Sequence, residues 1–299
     1  MKVLITGGSG LVGRKLTEIL LENKIEVVWL SRHKSSNSPV PTFVWDYDSG
    51  VLDAKAMVGV THIVHLAGAG VFDKKWTEDY KKEIMDSRVK SAKLLLNKST
   101  PDLKGYISAS AIGWYGADHG DLILTETDSS GSDFLAEVTK HWEAQADQFL
   151  KENCRVVKIR IGIVMARDGG ALPMMIKPVK FGVGAPIGSG KQYVSWIHVE
   201  DLATIFYQAL THESWSGVYN ACAPNPVTNE YLTKAIAKRL HKKLWLPNVP
   251  SWVLRWVLGE GRASSLLGSL KVSSQKVLDQ GFVFKFNKIE EAIENLLDG

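Results

Sequence analysis

The chain has 299 residues, 45% of them hydrophobic, with 36 Lys and Arg against 32 Asp and Glu and a formal net charge of +4. No apolar run reaches the roughly 18 residues of a membrane-spanning helix, and the positive charge is spread thinly, so neither a membrane protein nor a nucleic-acid binder is expected. Cys154 and Cys222 are too few and too distant for a disulfide framework or a zinc pattern; with no signal-peptide features, a cytoplasmic setting is expected.

The first thirteen residues carry the strongest signal. Val3 to Ile5 is a short apolar run, as in a strand buried on both faces. Gly7, Gly10 and Gly13 follow, and then Leu16, Ile19 and Leu20 recur at helical spacing. Strand, tight turn and helix in that order predict a dinucleotide site. Gly7 and Gly10 let the backbone turn sharply and approach a pyrophosphate. Gly13 lets the helix pack on the strand. The N–H groups that open the helix, at Leu11, Val12 and Gly13, face the phosphates.

Glu26 to Leu30 reads as the second strand. Its end selects the cofactor: an acid there accepts from the ribose 2′-OH of NAD, whereas Arg accommodates the 2′-phosphate of NADP. Glu26 has about the right offset but comes before the strand proper. Ser31 and Arg32 stand at its end, with His33 and Lys34 behind. The expectation is NADP(H), with Arg32 against the 2′-phosphate; the alternative is a solvated basic loop. Ser35 to Pro41 is a polar loop. Thr42 to Asp46 is a third strand that brings Asp46 toward the adenine, while Asp48 and Asp53 are turn and cap residues. Thr61 to Gly70 is a fourth strand with small residues at its carboxyl end, Ala67 and Gly68 among them, which admit a ribose and pyrophosphate. His62 and His65 point to opposite faces of it, so no metal site is expected.

Thr77 to Leu96 is helical. Arg88, among apolar neighbours, either points into the cleft or pairs on the surface with Glu83 or Asp86. Tyr106 to Ala111 is the fifth strand; Ser108 and Ser110 lie near its end and Tyr115 follows. A Ser and a Tyr there can both reach a substrate carbonyl or hydroxyl. Residues 117–133 form a loop long enough for a lid or pocket rim. A helix from Phe134 to Leu150 carries Lys140, Trp142 and Glu143, and a sixth strand runs from Arg155 to Val164. Gly182 to Gln192 is Gly-rich but is no P-loop, because Lys191 is followed by Gln192. Asp201 is expected to cap or start the helix Leu202 to Leu210, and Gly217 to Ala221 is a last strand. Three helical segments close the chain. Trp252 and Trp256 on one of them, four apart, form an exposed ligand stripe or membrane face, or pack into a core.

The pattern predicts an α/β fold: a Rossmann doubly wound parallel sheet with a smaller C-terminal substrate lobe. The NADP-binding domain is assigned to 1–165 and 190–222, and the smaller lobe to 166–189 and 223–299.

Four segments together resemble the extended short-chain dehydrogenase/reductases, or NAD-dependent epimerase/dehydratase-like proteins. Thr6 to Gly13 matches their T-G-x-x-G-x-x-G; His65 to Gly68 resembles their H-L-A-A. Ser108 to Ser110 with Tyr115-Gly116 resembles their S-S-x-x-V-Y-G, and Trp196 to Ala203 resembles their F-I-H-V-x-D-L-A. Ser31-Arg32, Glu83 with Ser87-Arg88, Asp168 to Leu172, Gly184 to Asp201 and Gly281-Phe282 resemble an atypical, sugar-nucleotide epimerase-like subgroup related to cell-division-inhibitor proteins. The resemblance spans the whole chain. It implies NADP(H) contacts from Ser31, Arg32, Leu66, Ala67, Glu83, Arg88 and the end of the sixth strand near Gly162. Gly68 and Ser108 join this cofactor set.

One departure matters. The superfamily's catalytic pair is Tyr-x-x-x-Lys, and none of the eight tyrosines here has a Lys four positions on. Lys140 stands near the expected place, but Ala136 sits four residues before it. Either Ser110, Tyr115 and Lys140 carry the proton chemistry on a small carbonyl or sugar-like substrate, or the protein is an NADP(H)-dependent sensor or scaffold without turnover. A homodimer is left open.

Overall fold

The computed structural model describes residues 1–33 and 37–298. Lys34, read as part of the basic strand end, and the loop residues Ser35 and Ser36 lie outside the described residues. The chain divides into two compact units, Met1–Ala111 with Glu137–Arg160 and Leu202–Tyr219, and Ile112–Ala136 with Ile161–Asp201 and Asn220–Gly299. Residues 112–136, 161–165, 190–201 and 220–222, assigned from sequence to the nucleotide-binding part, group with the second unit.

The first unit is built on a sheet whose strands begin with β1 (Lys2–Thr6), β2 (Glu26–Ser31), β3 (Thr42–Asp46), β4 (Val51–Leu52), β5 (His62–His65) and β6 (Gly105–Ala111). Arg155–Ile161 and Gly217–Ala221 complete it. The eight strands run in the order Gly217–Ala221, Arg155–Ile161, β6, β5, β1, β2, β3, β4. From β6 to β3 every pairing is parallel, and β4 turns back antiparallel on β3. Order reverses beside β1, with β2 on one side and β5 on the other. In an open α/β sheet, that is where a ligand crosses the carboxyl ends of the strands.

Sequence pattern explains the layers. Val3, Leu4 and Ile5 have no exposed surface, as a strand covered on both faces requires. Helix α1 (Leu11–Glu22) buries Gly13, Leu16, Thr17 and Leu20, while its charged residues face water. Helix α2 (Glu78–Asn97) starts one residue later than predicted, because the Thr77 hydroxyl caps it by accepting from the Tyr80 N–H. Helix α3 runs over Phe134–Asp147 and tightens into a 3₁₀ turn at Gln148–Glu152. Phe149 stacks on Tyr106 of β6 with ring centroids 3.8 Å apart.

In the second unit the predicted sixth strand is interrupted at Gly162. A Cβ there would lie 2.7 Å from the Ser195 carbonyl oxygen and 2.8 Å from the Cys222 sulfur. Beyond it, Ile163–Ala166 pairs in parallel with Trp196–His198 and antiparallel with Gly169–Gly170. The helix expected from Leu202 begins at Val199. Asp201 therefore does not cap it; its carboxylate accepts from the N–H groups of Lys285 and Phe286, at 2.8 and 3.0 Å. The core reading of Trp252 and Trp256 fails: they are 68% and 84% exposed, and the helix Ser251–Leu258 buries no side chain. Among the described residues, no helix is long and apolar enough to cross a membrane.

Candidate nucleotide-binding site

The turn between β1 and α1 is shaped by side chains that are absent. Gly7 has φ +71°, and a Cβ on it would press to 3.0 Å against the Leu66 backbone at the end of β5. A Cβ on Gly13 would fall 2.4 Å from the Gly7 carbonyl oxygen, so only glycine lets the helix rise this close to the turn. Gly8, passed over in the sequence reading, lies flat on the Trp29 ring, which a Cβ would meet at 2.5 Å. Trp29 is held in turn by its indole N–H, which donates to the Thr17 hydroxyl at 2.9 Å; that hydroxyl donates to the Gly13 carbonyl at 2.7 Å. Helix, turn and strand are locked together. Gly10 stands at the N-cap with no side-chain cap, and the first turn of α1 holds no acid. Its N–H groups and positive dipole end are therefore open to an anion.

A cleft of ≈ 670 Å³ opens in front of this turn, lined by Gly7, Ser9 and Gly10, by Ser31, Arg32 and His33 at the end of β2, and by Leu66 to Gly70 after β5. Glu26, discounted above, starts β2 at its other end and pairs with Lys2 at 2.8 Å. No acid stands at the carboxyl end of β2. A diphosphate on α1, a ribose over the small residues of 66–70 and a phosphate near Arg32 all fit the residues present.

Several expected groups are engaged by other residues. The Asp46 carboxylate accepts from the Ser49 hydroxyl and the Asp48 N–H, which hold it below the usual carboxylate range. Its neighbours Trp45 and Tyr47 line the cleft. Glu83 lines the cleft but is engaged by Lys74 at 3.1 Å. Arg88 makes no surface ion pair: it is buried, donating to the carbonyls of Ile84 and Ala69 at 2.9 and 3.0 Å. The Ser108 hydroxyl donates to the Ala109 carbonyl at 2.8 Å. Gly162 belongs to the second unit and does not line the cleft.

Each of the three candidate catalytic groups has a side-chain partner of its own. Ser110 is buried and donates to Glu143 Oε1 at 2.6 Å. Arg160 grips the same carboxylate through Nε at 2.8 Å and Nη2 at 3.1 Å. Lys158 binds Asp147 at 2.7 Å. Strand positions 158 and 160 share a face, and helix positions 143 and 147 share another, so two cations zip against two acids. That pattern is legible in the sequence, since two buried cations on one strand face demand acids opposite, and the sequence reading passed over it. The Tyr115 hydroxyl, fully buried in the second unit, donates to Asn220 Oδ1 at 2.8 Å. Lys140 pairs with Glu137 at 2.7 Å at the surface.

The histidines of β5 are also accounted for. His65 bridges the Tyr106 and Ser91 hydroxyls at 2.6 and 2.9 Å. Burial, and then the charge of Arg88, push its pKa down to about 3. Burial, then Arg155 and other cations, lower His62 to about 4. Among the described residues, no cluster of three or more metal-ligating side chains occurs.

Residues 3–222 match the model of the NAD dependent epimerase/dehydratase family. The chain belongs to that family. Residues 249–296 match a second model, a domain of unknown function (DUF1731). Among relatives of this family member, the SDR39U1 homolog of Arabidopsis thaliana, an epimerase family protein described as chloroplastic, is 36% identical, covering 99% of this chain and 87% of its own. The epimerase family protein YfhF of Bacillus subtilis is 33% identical, over 99% and 98% of the two chains. The crystal structure of human epimerase family protein SDR39U1 with NADPH superposes with a TM-score of 0.88 at 30% identity, covering 100% of both chains. Nucleotide cofactor binding is a property of the family to which this epimerase-family protein belongs.

Proposed function

We propose that this epimerase-family protein binds NADP(H) and acts as an oxidoreductase or epimerase-like enzyme on a small carbonyl or sugar-like substrate. The observation that carries the cofactor reading is the cleft in the first unit: an uncapped α1 N-terminus, small residues after β5, and Arg32 with no acid at the end of β2. A guanidinium suits a 2′-phosphate, and an acid at that place would repel it. The human relative solved with NADPH supports the same choice. Calorimetric titration of NADPH and NADH tests it. Wild type prefers NADPH, and Arg32→Ala removes the preference; equal affinities in wild type and Arg32→Ala contradict the reading.

The hydride chemistry belongs to the nicotinamide when it is bound. The chain's own polar groups near the end of β6 would orient substrate and exchange its proton. NADPH consumption against carbonyl and nucleotide-sugar substrates is the assay, with Ser110→Ala as the diagnostic variant. A second reading, a cofactor-dependent sensor without turnover, is favoured by one observation. Ser110, Tyr115 and Lys140 are each engaged by another side chain. Tight NADPH binding with no turnover across the panel selects it.

A further inference from the structure

Arg88 is a buried cation that lacks a counter-ion. It is 9% exposed, and its guanidinium donates to two carbonyls, of Ile84 and Ala69. The acids nearest in sequence are engaged elsewhere, Glu83 by Lys74 at 3.1 Å and Asp86 by Lys90 at 2.8 Å. Burial lowers its pKa to about 10, which leaves it charged at neutral pH. Of its titratable neighbours, Tyr80 and Tyr47 are neutral phenols at that pH, and His65 is neutral as well. No carboxylate lies within ion-pair distance among the described residues. An arginine in such a position is ordinarily paired, because an uncompensated buried charge is costly.

What holds it is a π face. The guanidinium carbon lies 5.0 Å from the ring centroid of Trp142 on α3. Trp142 is 5% exposed, and its indole N–H has no hydrogen-bond partner. Gly68 lies against the guanidinium: a Cβ there would come within 2.9 Å of Arg88 Cζ. So the charge sits directly beneath the loop Gly68-Ala69 that lines the cleft. Sheet order says which half of a dinucleotide meets it. A bound cofactor would place its adenosine ribose at the end of β2, beside Arg32, and its diphosphate on α1. The other half would then extend across β1, since β5 and the loop that follows it lie on the side opposite β2.

We propose that Arg88 makes this protein prefer the reduced cofactor. The inference rests on the NADP(H) reading above. An uncompensated guanidinium under the nicotinamide half repels the cationic ring of NADP⁺ and leaves the neutral ring of NADPH untouched. The adenosine and diphosphate are common to both forms, so they cancel in the ratio of affinities. Arg88 is thus a specificity-determining residue, acting on redox state where Arg32 acts on the 2′-phosphate.

The test is the ratio of dissociation constants for NADP⁺ and NADPH, measured by calorimetry on wild type, Arg88→Met and Arg88→Lys. Wild type should hold NADPH roughly tenfold or more tighter, as expected for one unit charge at short range in a medium of intermediate dielectric. Arg88→Met should bring the ratio to within about threefold of one, and Arg88→Lys should keep it, because charge and not shape sets it. A merely structural Arg88 would weaken both forms together. A wild-type ratio near one overturns the inference without any variant, and so decides it even if Arg88→Met does not fold. A preference that survives in Arg88→Met overturns it too. Wild type binding neither form removes the cofactor reading and this inference with it; both forms binding with an unaltered ratio removes this inference alone.

Discussion

Replacing Glu143 by Gln keeps the side-chain volume and removes one charge from the buried network of the first unit. Glu143 and Arg160 have side chains only 4% and 2% exposed, and their closest approach is 2.8 Å. Without the carboxylate, the guanidinium keeps its charge where water cannot reach it. Lys158 does not compensate, since it is itself a cation and holds Asp147 at 2.7 Å. Breaking a buried pair from one side costs about 3–5 kcal/mol. A domain is typically stable by about 5–15 kcal/mol, so this is a large share of the total. Ser110→Ala should cost less, about 1.5–3 kcal/mol, because it removes one hydrogen bond to a charged acceptor. The double variant should cost less than the sum, since both changes act on one carboxylate. Urea unfolding at neutral pH, with midpoint and slope both fitted, gives these differences. A loss under about 1 kcal/mol in Glu143→Gln would refute the view that this pair is buried and coupled.

Three further outcomes follow from particular contacts. His65 is fully buried with its pKa pushed down to about 3, whereas an unfolded histidine titrates near 6.5. Its contribution is complete above pH 6.5 and falls by about 1.4 kcal/mol per pH unit on acidification toward 3, because only the unfolded chain takes the proton. The slope of stability against pH between 5.5 and 4 should be shallower by about that amount in His65→Gln; parallel slopes would contradict it. Gly13→Ala places a Cβ 2.4 Å from the Gly7 carbonyl and 2.7 Å from Gly8 Cα, both backbone atoms. The turn must shift, and calorimetry should show NADPH affinity reduced by roughly tenfold or more. Asp201→Ala removes the acceptor for two N–H groups, of Lys285 and Phe286, and should lower stability by about 2–3 kcal/mol in urea unfolding.

The nucleotide half of this protein was legible because its signals are local. Gly7, Gly10 and Gly13 act through backbone geometry within one turn, and Ser31 and Arg32 sit at a strand end that the apolar run of β2 marks out. Their neighbourhood needs no long-range knowledge. The partner of Asp46 was not legible, because an acid after a strand serves equally well in an Asx-type turn, and Ser49, three residues on, engages it. Arg88 had two readings because a helix residue's side chain is assigned by what lies across from it, and Trp142 is 54 positions further along the chain.

Sequence alone determined the order of strands and helices, the phosphate-binding turn and the basic end of β2, since each depends on residues a few positions apart. Tertiary structure alone decided that the Ser110 hydroxyl donates a hydrogen bond to Glu143, that the Tyr115 hydroxyl donates one to Asn220, and that Trp252 and Trp256 remain uncovered. A hydroxyl's partner or an indole's burial depends on which distant segment packs opposite, and no local period records that. The same holds for Arg88. A charge reads as solvated in a sequence, and only packing shows that this one is buried without a carboxylate beside it.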